Sequence, residues 1–154
     1  MKAIVPGSYD PVTLGHLDVI KRAKEKYDEV FAVIFINPKK TYRFSVEDRV
    51  RMLTLATDEL DGVMVSYSDG LVIDYMREHG IEVIVKGYRN ETDLEYERLQ
   101  AEWNKAHGGY DTELLKCNPA LSEVSSTRVR AALDEGKGVD ELLPDSVKKY
   151  IESL

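Results

Sequence analysis

Residues 7–16 read GSYDPVTLGH, a turn with glycines near both ends that finishes on an imidazole. A short apolar run, KAIVP, precedes it, and a helix-like stretch, LDVIKRAKEKY, follows. That order sets His16 at the mouth of a helix, where unpaired N–H groups attract anions. Gly7 and Gly15 let a ligand approach the backbone closely. Cations and hydroxyls recur along the chain: Lys39, Lys40 and Arg43 in one loop, Lys86 and Arg89 in another, then Ser125, Ser126 and Thr127 ahead of a helix that carries Arg128 and Arg130. Each has an ordinary structural role in isolation, as cap, turn or solvated side chain. Brought together, they could hold a strongly anionic small molecule and stabilise charge as it reacts.

The elements that must bring them together follow from periodicity. Valine- and isoleucine-rich runs alternate with stretches at helical spacing, which predicts an α/β fold with a mostly parallel sheet and crossover helices. Strands are predicted near 2–6, 30–36, 62–67, 82–86 and 112–117. The fully apolar runs VFAVIFI and EVIVKG suit a sheet covered on both faces. The first helix presents Leu14, Leu17, Ile20, Ala23 and Tyr27. The second starts at Ser45, with Val46, Val50, Leu53, Ala56 and Leu60 inward. A third runs from Leu71 to His79 and stops at Gly80. A fourth opens on Thr92 and Glu95, which have capping-box spacing, and continues to Lys105. Helices after Ser125–Thr127 and near Pro144 complete the pattern.

At 154 residues the chain fits one domain spanning 1–154, with no linker or low-complexity tract to divide it. The charge, 21 cations against 28 carboxylates for a net of −7, argues against a broad nucleic-acid-binding surface. The longest apolar run is too short to cross a bilayer, and Cys117 stands alone, so a reducing, cytosolic setting is expected. His16, His79 and His107 lack metal-ligand spacing.

TLGH after GSYDP resembles the T/HxGH signature of the nucleotidylyltransferase superfamily. The order and spacing of PGSYDPVTLGHLDVIKRA, NPKKTYRFSVEDRVRML, VKGYRNETDLEYE and VSSTRVR resemble bacterial phosphopantetheine adenylyltransferase over almost the whole chain. The KGYRNETDLEYE segment is the most discriminating. The resemblance implies a Rossmann-like, doubly wound five-stranded parallel sheet with helices on both faces, and hexamers. It also implies transfer of AMP from ATP to 4'-phosphopantetheine, giving dephospho-CoA and pyrophosphate, with Mg²⁺ carried mainly by the ATP phosphates and no protein metal ligands. Neither nucleic acid nor membrane is an expected partner.

By the same resemblance, His16 donates to the α-phosphate and Lys40 reaches both the acceptor phosphate and the α-phosphate. Ser8 lies near both substrates, and Arg89 binds phosphate. Leu71, Val72 and Lys86 fall on the acceptor side, Lys86 standing where the pattern has arginine. Gly7, Tyr9, Gly87, Tyr88, Glu97, Val124, Ser125, Ser126 and Thr127 fall on the ATP side, the VSST hydroxyls and N–H groups being suited to the β- and γ-phosphates. The preceding NPALSE lacks the aromatic residue often found there. A cytidylyltransferase would be expected to show a motif like RTEGIST where this chain has LSEVSST. Two other readings are a superfamily member with another nucleotide or acceptor, such as an alcohol-phosphate cytidylyltransferase or a nicotinamide mononucleotide adenylyltransferase, and a nucleotide-binding or CoA-sensing protein without turnover.

Overall fold

Five of the apolar runs form parallel strands in the computed structural model, which describes residues 1–154. They are β1 (Lys2–Gly7), β2 (Glu29–Phe35), β3 (Val63–Ser68), β4 (Val83–Tyr88) and β5 (Asp111–Lys116), in the order β3-β2-β1-β4-β5. Ile4 pairs with Phe31 on one side and with Ile84 on the other, so β1 is the central strand. Alternation of side chains divides each run between two cores. Ala3, Val5, Val30, Ala32, Ile34, Val83 and Val85 face one layer; Ile4, Phe31, Val33 and Ile84 face the other. With both faces covered, neither set can be polar. The sheet is therefore the Rossmann-like, doubly wound α/β arrangement that the sequence predicts.

The helices are α1 (Leu14–Lys26), α2 (Val46–Thr57), α3 (Val72–His79), α4 (Glu91–Gly108), α5 (Ser126–Asp134) and α6 (Asp145–Glu152). Residues of α1 and α2 pack on the first layer, where Val129 of α5, Val147 of α6 and the intervening Val139 and Leu143 complete the core. Tyr75 and Met76 of α3 belong to the second layer. No helix is long and apolar enough to cross a membrane.

Three local expectations need correction. The fourth helix is capped two residues earlier than predicted. Asn90 Oδ1 accepts from Asp93 N at 2.9 Å, and the Asp93 carboxylate accepts in turn from Arg89 N at 3.1 Å, so Asn90 and Asp93 take the role expected of Thr92 and Glu95. That helix also continues to Gly108 before Gly109, at φ 75°, turns the chain. On α2 the buried face is Arg49, Met52, Leu53 and Thr57, with Val50, Ala56 and Leu60 flanking it and Val46 only half-buried. Leu53, Val50, Ala56 and Leu60 thus pack inward as expected, and the face is widened by Arg49 and Thr57, which can be buried because Thr57 Oγ1 donates to the Leu53 carbonyl at 2.9 Å and Arg49 finds backbone acceptors described below. A short 3₁₀ turn at Pro119–Leu121, held by Asn118 Oδ1 accepting from Ala120 N, was not foreseen.

Gly87 on β4 is required by packing against α1. A Cβ there would stand 2.7 Å from Val19 Cγ2, on a helix the sheet holds in place. Gly87→Ala is expected to lower stability by about 1–3 kcal/mol, measured by urea unfolding. Most of that loss should disappear when Val19→Ala is combined with it; an unchanged unfolding midpoint for the single variant would show slack between β4 and α1.

Candidate active site

The strand order reverses between β1 and β4, since β1 connects outward to β2 while β4 connects outward to β5. In open parallel sheets the crevice beyond the carboxyl ends of such a strand pair is the natural ligand site. A cleft of about 550 Å³ lies there. Gly7, Ser8, Tyr9 and His16 line it from the β1 side, Lys86, Gly87, Tyr88, Arg89 and Glu97 from β4 and α4, and Val124, Ser125, Ser126 and Thr127 from the start of α5. Groups spread from residue 7 to residue 127 thus meet in one space. A smaller cavity of about 240 Å³ continues from it, sharing Ser8, Lys86, Tyr96 and Glu97, and runs past Val72 to Gln100, Asn104 and Thr112. Two predicted residues line neither. Lys40 is exposed on the loop after β2, and Leu71 is exposed at the N-cap of α3.

His16 is held in one tautomer by the turn that delivers it. Thr13 caps α1, its Oγ1 accepting from His16 N at 3.3 Å, while Thr13 N donates to His16 Nδ1 at 3.0 Å. A backbone N–H can only donate, so Nδ1 is the acceptor and the ring proton sits on Nε2. Burial, with Lys86 and Arg89 adding their repulsion, lowers the imidazole from its ordinary 6.5 to about 4. The ring is therefore neutral at physiological pH, and Nε2–H is a preformed donor. Threonine three residues before histidine is the capping-box spacing with an imidazole in place of the usual carboxylate or amide. That spacing was the legible signal for Thr13, which the sequence reading passed over.

Tyr9 supports this geometry from below. Its side chain is buried, its backbone adopts φ 47°, and its hydroxyl donates to the Val5 carbonyl at 2.7 Å. Its ring centroid lies 4.8 Å from that of His16. Gly7 is small because Tyr9 occupies the adjoining space: a Cβ on Gly7 would stand 3.2 Å from the Tyr9 ring. With its hydroxyl committed to Val5, Tyr9 leaves little but backbone and ring edge for a ligand.

The start of α5 also works differently from a cluster of free hydroxyls. Ser125 Oγ accepts from Arg128 N as N-cap, Ser126 Oγ donates to the Pro11 carbonyl at 2.8 Å, and Thr127 Oγ1 accepts from Arg130. What this segment offers an anion is chiefly the backbone N–H groups of the first helical turn.

Opposite it, Lys86 Nζ stands 3.7 Å from Glu97 and 3.4 Å from the Pro6 carbonyl. Burial pushes the Glu97 carboxyl up from its ordinary value, against the pull of Lys86. Arg89 spends its Nε on Asp93 at 3.0 Å, which fixes the guanidinium and leaves its terminal amino groups for a ligand. The loop cation Arg43 pairs with Asp134, and Arg128 with Glu123, so neither is a free phosphate ligand. Gln100 and Asn104, absent from the predicted site, share a face of α4 with Glu97; polar residues at spacings of three and four on one helix were their signal in the sequence. No group of three or more His, Cys, Asp or Glu side chains is placed to hold a metal ion.

Residues 4–132 match the model of a family described as cytidylyltransferase-like. The chain belongs to that family. It is accordingly a nucleotidyltransferase, and the matched span runs from β1 through most of α5, the elements that build the cleft.

Titration of His16 followed by ¹⁵N-edited NMR should show a midpoint near 4, with Nε2 carrying the proton in the neutral form. Below that midpoint the second proton goes to Nδ1 and displaces the Thr13 N–H, so donor geometry is intact above about 4 and lost as pH falls through it. A midpoint near 6.5, or a proton on Nδ1 at neutral pH, would contradict the arrangement.

Proposed function

We propose that the protein transfers AMP from ATP to 4'-phosphopantetheine, releasing pyrophosphate and forming dephospho-CoA. The observation that carries this reading is the two-part cleft. The larger part has anion-binding groups suited to a nucleoside triphosphate. The narrow extension combines apolar Phe35, Val72 and Ile84 with the amides of Gln100 and Asn104, a lining suited to a slender arm that carries amide groups. The two parts meet at Ser8 and Lys86, where the acceptor phosphate would face the α-phosphate. The four motifs in order, and KGYRNETDLEYE above all, support the same acceptor.

No covalent intermediate on the protein is needed. An oxygen of the acceptor phosphate attacks the α-phosphorus in line, the bond to the bridging oxygen breaks, and the electron pair leaves with pyrophosphate. The protein's task is to hold two polyanions together and stabilise charge on the equatorial and leaving oxygens. His16 Nε2–H donates to an α-phosphate oxygen. Because the ring is already neutral and oriented, it needs no proton shift to act. Lys86 and Ser8 face the acceptor phosphate, and Arg89 and the α5 N–H groups face the triphosphate. Lys40 comes over from its loop to both phosphates. Magnesium arrives on ATP as part of the substrate.

The cellular setting proposed is the cytosol, with no nucleic acid or membrane partner and with self-association into hexamers. Support for self-association comes from α4. None of its residues is buried, and Tyr96, Leu99 and Trp103 stand exposed at helical spacing along it. Trp103→Glu is expected to shift the protein to a smaller species by analytical ultracentrifugation; an unchanged mass would place the interface elsewhere.

Pyrophosphate release should occur with MgATP and 4'-phosphopantetheine. Release only with CTP, or only with nicotinamide mononucleotide as acceptor, would assign the protein to another member of its family, and ligand binding without turnover under any pairing would make it a sensor. His16→Ala is expected to lower turnover at least about a hundredfold with ATP binding mostly retained. Equal losses of binding and rate would refute the transition-state role of the imidazole.

A further inference from the structure

Two buried groups with no part in the chemistry above join the opening turn to the loop that carries Lys40. Arg49 on α2 is 2% exposed and pairs with no carboxylate. Its Nε donates to the Phe44 carbonyl at 3.1 Å and its Nη1 to the Ser8 carbonyl at 3.1 Å, while the guanidinium lies 4.0 Å from the Tyr42 ring centroid. The Tyr42 hydroxyl oxygen accepts from Asn37 N at 2.9 Å, which ties the beginning of the loop to its end. Asp10, 3% exposed, holds the same segment from the other side. Its carboxylate accepts from Arg43 N and Phe44 N, each at 2.9 Å, and its own carbonyl accepts from Arg130 at 2.8 Å.

Stability alone is a poor account of Arg49. Taking a guanidinium out of water is costly, and an apolar side chain of similar volume is often as stabilising or more so. What an apolar side chain cannot do is hold carbonyls of two separate segments at a fixed spacing. The segments are the turn that supplies Ser8 to the cleft and the loop whose tip, Pro38–Thr41, is exposed and bears Lys39 and Lys40.

We propose that Arg49 and Asp10 are positioning residues for nucleotidyl transfer: they lock the Arg43–Phe44 end of the 37–44 loop to the opening turn, and Tyr42 ties the Asn37 end to that anchored base, so that the Lys40 ammonium reaches the phosphates held between Ser8 and His16. This rests on the proposed role of Lys40, and adds to it the part of the fold that sets its reach. The tip is exposed, while the base is held by these contacts.

Two measurements test it. Hydrogen exchange on the wild-type protein reads the clamp without any substrate: the Arg43 and Phe44 amides should exchange at least about a hundredfold more slowly than that of Thr41. Equal rates would overturn the proposal. Kinetics of Arg49→Met and Asp10→Asn, each alone and with Lys40→Ala, read the consequence, using whichever nucleotide and acceptor the wild type turns over. Each single variant should lose at least about tenfold in kcat with KM for the nucleotide within about twofold, and should lose less than about twofold more once Lys40 is alanine. A full loss that persists in the Lys40→Ala background, or a Lys40→Ala variant as active as wild type, would overturn it. If Arg49→Met does not fold, Asp10→Asn and the exchange rates decide the matter. Wild-type turnover with a different substrate pair would remove the phosphopantetheine assignment while leaving both measurements able to judge the clamp.

Discussion

The hydrogen bond from Thr13 N to His16 Nδ1 is the constraint on which the site depends. It turns a helix cap into a device for fixing a tautomer. An imidazole at a helix mouth, beside Lys86 and Arg89, could ionise, rotate or donate from either nitrogen. The backbone removes those choices: one nitrogen is occupied as an acceptor, and burial beside Lys86 and Arg89 keeps a second proton off. The remaining donor points where the chain directs it. A neutral donor has a further advantage beside a triphosphate, because it stabilises charge that grows during reaction without holding the ground state as tightly as a cation would.

Around that bond the fold supplies a gradient of rigidity. The turn rests on Tyr9, whose ring lies against His16 and whose hydroxyl is anchored in β1. Arg130 and Ser126 reach over from α5 to carbonyls of Asp10 and Pro11, so the starts of α1 and α5 are tied to each other through the turn. The basic loop is fixed at its base and exposed at its tip. α4 is the exception to the pattern of burial: it forms one wall of the cleft yet buries none of its own residues.

The sheet was legible because its physics is local. A strand covered on both faces must be largely apolar, as the central runs of β1, β2 and β4 are, and the edge runs of β3 and β5, though more polar, could also be read, with ends within a few residues of those observed. Helix starts with a serine cap, at Ser45 and Ser125, were equally plain. The cap of α4 was misplaced because Asn90 and Thr92 both satisfy the preference and only the Asp93 carboxylate, folding back to Arg89, decides between them. The set of cleft residues was also largely legible, through motifs that fall at the carboxyl ends of β1 and β4 and at the start of α5. What the sequence concealed is how each group is spent. Nothing in VSST reveals that its hydroxyls are committed to Arg128, Pro11 and Arg130, and nothing in VEDRV reveals a buried guanidinium, since an arginine in a helix is ordinarily solvated.

The turn at residues 7–16 is finished by residues 139–147, remote from it in sequence. Leu14 N, the first donor of α1, is satisfied by the Leu142 carbonyl at 3.0 Å, and Val139, Leu143 and Val147 close the core beneath α1. The opening turn is therefore seated by a distant segment, so its shape is a product of tertiary packing and not of its own local structure. A change in the 139–147 segment that loosens this packing reaches the imidazole through the first donor of α1, without touching the cleft.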